Sequence, residues 1–128
     1  MRDTMVLFTN SNDWDTFTSR LNVLQKLETG PYFQYYEVEG GVIGFDSTED
    51  VTADFEAEEL SHIEGIIGSF RAALVEYENT ACRDAFLRCV APGLKGVLDT
   101  NYEEIVPYAE ILRWISSHPG THFREYSK

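Results

Sequence analysis

Few residues in this chain are of types that carry chemistry, and their spacing limits what each could do. Cys82 and Cys89 lie seven positions apart in a segment of helical periodicity. Both thiols therefore share a helix face, two turns and about 10 Å apart along the axis, too far for a disulfide unless the helix unwinds. They occupy apolar helix positions, where thiols are inert packing groups more often than nucleophiles. Two reduced thiols suit a reducing cytoplasm. His118 and His122 are four apart, a metal-binding spacing on a helix, but Pro119 and Gly120 between them make a turn. No cysteine or acid completes a ligand set there. His62 follows Glu58, Glu59 and Ser61 and could act as a general base only beside a positioned nucleophile. None accompanies it, so it reads as a solvated residue in the first turns of a helix. Gly40-Gly41-Val42-Ile43-Gly44 is rich in glycine, but it lies inside a hairpin and not between a strand and a helix, so it is no phosphate loop. The acids form no calcium-binding loop of alternating Asp and Asn closed by glycine. On these grounds we assign no catalytic residue, no metal and no cofactor.

The acids themselves are the informative residues. The chain of 128 residues carries 22 acids and 10 bases, a formal net charge of −12. Between Lys26 and Arg71 there is no Lys or Arg, while Glu28, Glu37, Glu39, Asp46, Glu49, Asp50, Asp54, Glu56, Glu58, Glu59 and Glu64 supply eleven acids. Outside that window, eleven acids meet ten bases and nearly cancel. Charge of one sign clustered in this way steers partners of the opposite sign and argues against direct binding of nucleic acid.

The elements that must position these residues follow from periodicity. The length fits a single globular domain over 1–128, and 43% hydrophobic residues suffice for a core. No apolar run approaches the roughly 20 residues that span a bilayer. The N-terminal apolar patch, bracketed by Asp3 and Asn10, is too short for a signal peptide. Thr4 to Thr9 reads as a strand. Residues 13–28 read as a helix, with Asn12 as cap, Trp14, Phe17, Leu21 and Leu24 at helical spacing, and Gly30-Pro31 as the stop. Tyr32–Val38 and Val42–Phe45 around Glu39-Gly40-Gly41 read as a β-hairpin. Val51 to Phe55 is too short for periodicity to choose between strand and helix approach.

His62 to Tyr77 reads as a central helix. Its apolar residues recur at 60, 63, 66/67, 70, 74 and 77, and Ser61, Gly65, Gly68 and Ala72 form a small-residue stripe nearly opposite. A stripe without bulk either lets a second element approach closely or faces water. A helix from Asn79 or Thr80 ends at Pro92-Gly93. Leu94, Val97 and Leu98 read as a short amphipathic piece, and Thr100 to Glu103 fits a capping box. The last helix carries Ile105, Tyr108, Ala109, Leu112 and Ile115 on one face, with Trp114 turned away. Thr121 to Tyr126 reads as a tail or an added strand.

The resulting expectation is an α+β fold: a small single domain of N-terminal strand, helix and β-hairpin, followed by three or four helices packed on a small antiparallel sheet. The functional class with a positive physical basis is a small acidic cytoplasmic binding protein that inhibits a basic protein partner. Immunity proteins that neutralise nuclease-like bacterial toxins have this general character. The expected contact comprises Tyr32, Tyr35, Tyr36, Glu37, Glu39, Asp46, Glu49, Asp50, Asp54, Glu56, Glu58 and Glu59, the tyrosines offering large contact area with few rotatable bonds. The alternatives are an oligomeric interaction or regulatory domain, and a small enzyme or ligand-binding domain without a recognisable motif.

Overall fold

The computed structural model describes residues 2–127, with Glu49 described in its backbone only. The chain runs β1 (Asp3–Asn10), α1 (Trp14–Arg20), β2 (Gln25–Thr29), β3 (Gln34–Val38), β4 (Gly41–Asp46), α2 (Ala57–Ile67), β5 (Phe70–Tyr77), α3 (Thr80–Val90), β6 (Gly96–Asp99), β7 (Ile105–Pro107) and α4 (Tyr108–Ser117). All seven strands join one antiparallel sheet in the order β2-β3-β4-β5-β1-β6-β7. The fold is therefore α+β, as the periodicities imply.

The two sides of the sheet are covered unequally. On one side α1, α3 and α4 close a large core over Met5, Leu7, Ile43, Phe45, Val75, Tyr77, Leu98 and Val106. Trp114, read as turned away from the face of its helix, meets a second layer there, the C-terminal segment of Phe123 and Tyr126. On the other side α2 packs Ile63 and Ile67 over Val6, Phe8 and Val97, joined by Val51 and Phe55 from the stretch that precedes it. The half of the sheet built from β2, β3 and β4 contributes nothing to that second core. It lies bare on this side.

Several local readings stand corrected. Residues 13–28 are not one helix. Trp14 and Phe17 do bury at helical spacing, but α1 ends at Arg20 and a 3₁₀ turn follows at Leu21–Val23. Leu24 is extended at ψ 152°, and residues 25–29 pair with β3. Gly30-Pro31 belongs to the β2–β3 turn, where the Gly30 N–H donates to the Phe33 carbonyl at 2.8 Å. A strand with an open edge offers backbone partners that a helix end does not, and this tertiary pairing outweighs local propensity.

The His62–Tyr77 helix is half helix and half strand. Gly68, at φ +78° and ψ −161°, sits in a region essentially reserved for glycine and breaks the chain out of α2. Beyond it, Phe70 and Leu74 face the α2 side and Tyr77 the opposite side. Both faces of this inner strand are covered, so it carries apolar residues in both registers and mimics helical spacing. The small-residue stripe makes no close contact at Gly65, where an added Cβ would meet nothing within 4 Å. Leu94 to Leu98 leads into β6, and Thr100 to Glu103 forms a turn with Asn101 and Glu103 at positive φ, not a helix cap.

The hairpin and the start of α3 match expectation. Glu39 and Gly40 both take positive φ, the backbone of a two-residue hairpin turn. Asn79 caps α3 by accepting the Cys82 N–H at 2.8 Å. Val51 lies in a 3₁₀ turn (Glu49–Thr52) that leads to α2, whose Glu56 and Glu59 form a reciprocal capping box.

Candidate partner-binding face

The base-free window folds into β3, β4, the 3₁₀ turn and α2, which frame the unequally covered side of the sheet. Asp46 ends β4, and its Oδ1 accepts the Thr48 N–H at 2.9 Å, turning the chain into the 3₁₀ segment. That segment carries Asp50 and Asp54 toward the sheet, and the first turn of α2 brings Glu59. Together with Asp99 of β6 these carboxylates line a cleft of about 450 Å³, floored by Thr4, Val6, Leu74 and the Phe55 ring. Five acids from four separate segments thus surround one opening, and no lysine or arginine is among its lining residues. Among the described residues, none of the five forms an ion pair with a base.

Besides Asp46, two more of the cleft acids are tied down locally. Glu59 Oε1 accepts the Glu56 N–H at 3.1 Å, and Asp99 Oδ1 accepts the Asn101 N–H at 2.8 Å. Burial raises the Asp99 carboxyl above its ordinary range, the Asn101 N–H opposes this, and the charge of Glu59 adds to it. Like charges in a partly desolvated cleft disfavour ionisation, and an incoming cation relieves that cost. The chemistry available here is electrostatic. It suits ammonium or guanidinium groups of a ligand.

Beside the cleft lies a second depression, of about 590 Å³, on the bare half of the sheet. Leu27, Glu28, Tyr35, Val42, Glu76 and Arg2 line it. The two depressions adjoin, because Thr4 of the cleft pairs in register with Glu76 of its neighbour.

The structure gathers only part of the expected contact set. Asp46, Asp50, Asp54 and Glu59 share the cleft. Glu56 and Glu58 are exposed at the start of α2. Tyr35 and Glu37 point to the bare side, whereas Tyr36 lies one residue out of phase and packs against the large core under α3. Burial accordingly raises the Tyr36 hydroxyl pKa. Tyr32 is 78% exposed in the β2–β3 turn. Glu39, in the β3–β4 turn, lines a separate depression with Ala81, Ala85 and Arg88 of α3. The side chain of Glu49 lies outside the described residues.

Asp99, Glu76, Leu27 and Arg2 carried no sequence signal. Asp99 stands 28 residues beyond the base-free window, and only the β1–β6 pairing, which sets it opposite Val6, brings it to the cleft. The histidines separate: His118 stacks on Trp114 with ring centres 5.4 Å apart, and His122 approaches the Asp3 carboxylate at 3.3 Å. Cys82 is buried, and burial raises the pKa of the partly buried Cys89 thiol, an environment that holds sulfur in its unreactive form. Among the described residues no helix is long and apolar enough to cross a membrane. No family model, curated protein or solved structure matches the chain significantly.

Proposed function

We propose that this protein binds a basic protein partner through the acid-bearing side of its sheet and blocks it, in the manner of an immunity protein that neutralises a nuclease-like bacterial toxin in the cytoplasm. One observation carries the reading: five carboxylates from four chain segments converge on one cleft that contains no base. A surface that only needed solubility would intersperse both signs, since that limits self-repulsion. A protein that binds nucleic acid presents cations to phosphates, and a cleft lined by carboxylates offers those cations a competing anionic surface. Tyr35 and the exposed Tyr32 supply aromatic area beside the charge.

The test begins with a pull-down from the native organism at low and then high salt. Association of the captured partner is then measured against Asp50→Lys/Asp54→Lys and against a control, Asp15→Lys/Glu125→Lys, whose exposed acids lie on α1 and the C-terminal segment. The cleft reversal should slow association on the order of tenfold at low salt and flatten its salt dependence, while the control changes little. If the two variants bind alike, or if the captured partner is itself acidic, the proposal fails.

A further inference from the structure

The depression beside the cleft already holds a guanidinium group, that of the chain's own Arg2. Its Cζ lies 5.9 Å from the centre of the Tyr35 ring, and its Nη1 is 3.3 Å from Glu76 Oε1. The backbone beneath makes room for this arrangement. A Cβ on Gly44 would stand 2.7 Å from Glu76 Cγ and 3.0 Å from Oε1, so glycine there lets the glutamate lie down on the strand. Glu28 adds a second carboxylate to the wall, so the site stays net negative with Arg2 in place. An aromatic face, a positioned carboxylate and an apolar floor of Leu27 and Val42 form the environment in which guanidinium is preferred over ammonium, because it is planar, forked and weakly hydrated.

We propose that this cradle is an arginine-recognition site: a basic partner inserts an arginine that takes over Tyr35 and Glu76 and displaces Arg2. The inference rests on the basic-partner reading and names the side chain by which such a partner is held. Arg2 can leave without disturbing either core, since its side chain is 36% exposed and its contacts are of the weakly held surface kind. Because the cradle adjoins the acidic cleft through the Thr4–Glu76 pair, an arginine seated here brings neighbouring bases of the same segment over Asp46, Asp50 and Asp54.

The experiment is an NMR titration of the full chain with N-acetyl-arginine amide and, separately, with its lysine counterpart. Wild type, Arg2→Ala, Arg2→Lys, Glu76→Gln and Asp50→Lys/Asp54→Lys are compared, each first shown by thermal melt to be folded. The arginine probe should shift the amides of Leu27, Tyr35, Val42 and Glu76. A site occupied by its own competitor binds with an affinity reduced by the occupied fraction, so Arg2→Ala should bind roughly three- to tenfold more tightly, with Arg2→Lys in between. Glu76→Gln should weaken the arginine response, and the lysine probe should bind several-fold more weakly than arginine in every folded variant. Equal affinity in wild type and Arg2→Ala, equal response to both probes, or no shift in any variant would overturn the proposal. Shifts confined to amides around Asp50 and Asp54 would also overturn it, yet leave the basic-partner reading standing. That reading falls on the cleft-reversal comparison, which does not touch the cradle.

Discussion

Beneath α3, the Arg83 guanidinium is fully buried, donates to Asp84 Oδ1 from Nε at 2.9 Å and Nη2 at 2.6 Å, and lies 4.0 Å from the centre of the Phe123 ring. Its Nη2 also donates to the Thr121 carbonyl, and Asp84 Oδ2 accepts the Gly120 N–H, each at 2.8 Å. Across the sheet, Asp46, Asp50, Asp54, Glu59 and Asp99 share a cleft with no cation among them. One side pairs its charges internally and uses them to pin the C-terminal segment to α3. The other leaves like charges facing one another over a partly open floor. Although Arg83 Nη1 has no hydrogen-bond partner, the Arg83–Asp84 pair is otherwise satisfied from within. The five cleft acids, by contrast, meet no base, and an external cation is the simplest complement to them.

The largest expected effect breaks the closed side. Arg83→Met strands the buried Asp84 carboxylate and should cost about 3–5 kcal/mol. Urea melts measure it, and in hydrogen exchange the Gly120 amide should lose protection before the sheet does. A loss below about 1 kcal/mol, the range of exposed pairs, would show that this charge pair is not the lock described.

Next comes Gly96→Ala, also on the closed side. The added Cβ would collide with the Tyr108 ring and stand 2.6 Å from the Phe8 carbonyl. Tyr108 cannot swing away freely, because its hydroxyl is bonded to the Thr9 hydroxyl at 2.7 Å in a fully buried site. Overpacking of this kind costs about 1–3 kcal/mol. Thermal melts that show no change would mean that the core here yields more easily than the contact distances imply.

On the α2 side two glycines of one segment should move in opposite directions. Gly65→Ala enters open space within a helix and should gain up to about 1 kcal/mol. Gly68→Ala must adopt a glycine-only backbone and should lose about 1–3 kcal/mol. A loss at both positions would restore close packing along the small-residue stripe.

The smallest effect depends on pH. Since the folded protein holds the Asp99 proton to higher pH than the unfolded chain does, its contribution to stability falls as pH rises from the ordinary carboxylate value through the raised one. Asp99→Asn keeps an acceptor for the Asn101 N–H and removes the charge. Its melting temperature should exceed that of wild type at neutral pH, and the difference should vanish below about pH 3.9, the ordinary aspartate value. By the same sign, a cation in the cleft drives the proton off Asp99, so partner binding should strengthen as pH rises through this window. A gain from Asp99→Asn that persists unchanged in acid would point to packing and not to charge.

How much of this was legible in the residues depends on the range over which each signal acts. The Asn79 start of α3 and the hairpin around Glu39-Gly40-Gly41 are readable because each is satisfied by groups within a few positions, whereas the capping box lies at Glu56–Glu59 and not at Thr100–Glu103. The base-free acidic window is a property of order along the chain, and so is the alternation that sends Tyr35 and Tyr36 to opposite sides. Residues 25–29 escape the reading because Leu21 and Leu24 carry helical spacing up to a strand that pairs with β3 only 5 to 12 positions on. Residues 70–77 escape it because their partners in β1 and β4 lie far off in sequence, and because a strand covered on both faces carries apolar residues in both registers. The meeting of Asp99 with Asp46, Asp50, Asp54 and Glu59, and of Arg2 with Tyr35 and Glu76, arose only when β1 took its place between β5 and β6. A charge count shows how many acids there are. Which of them share a cleft is decided by strand order, a long-range choice that no local periodicity encodes.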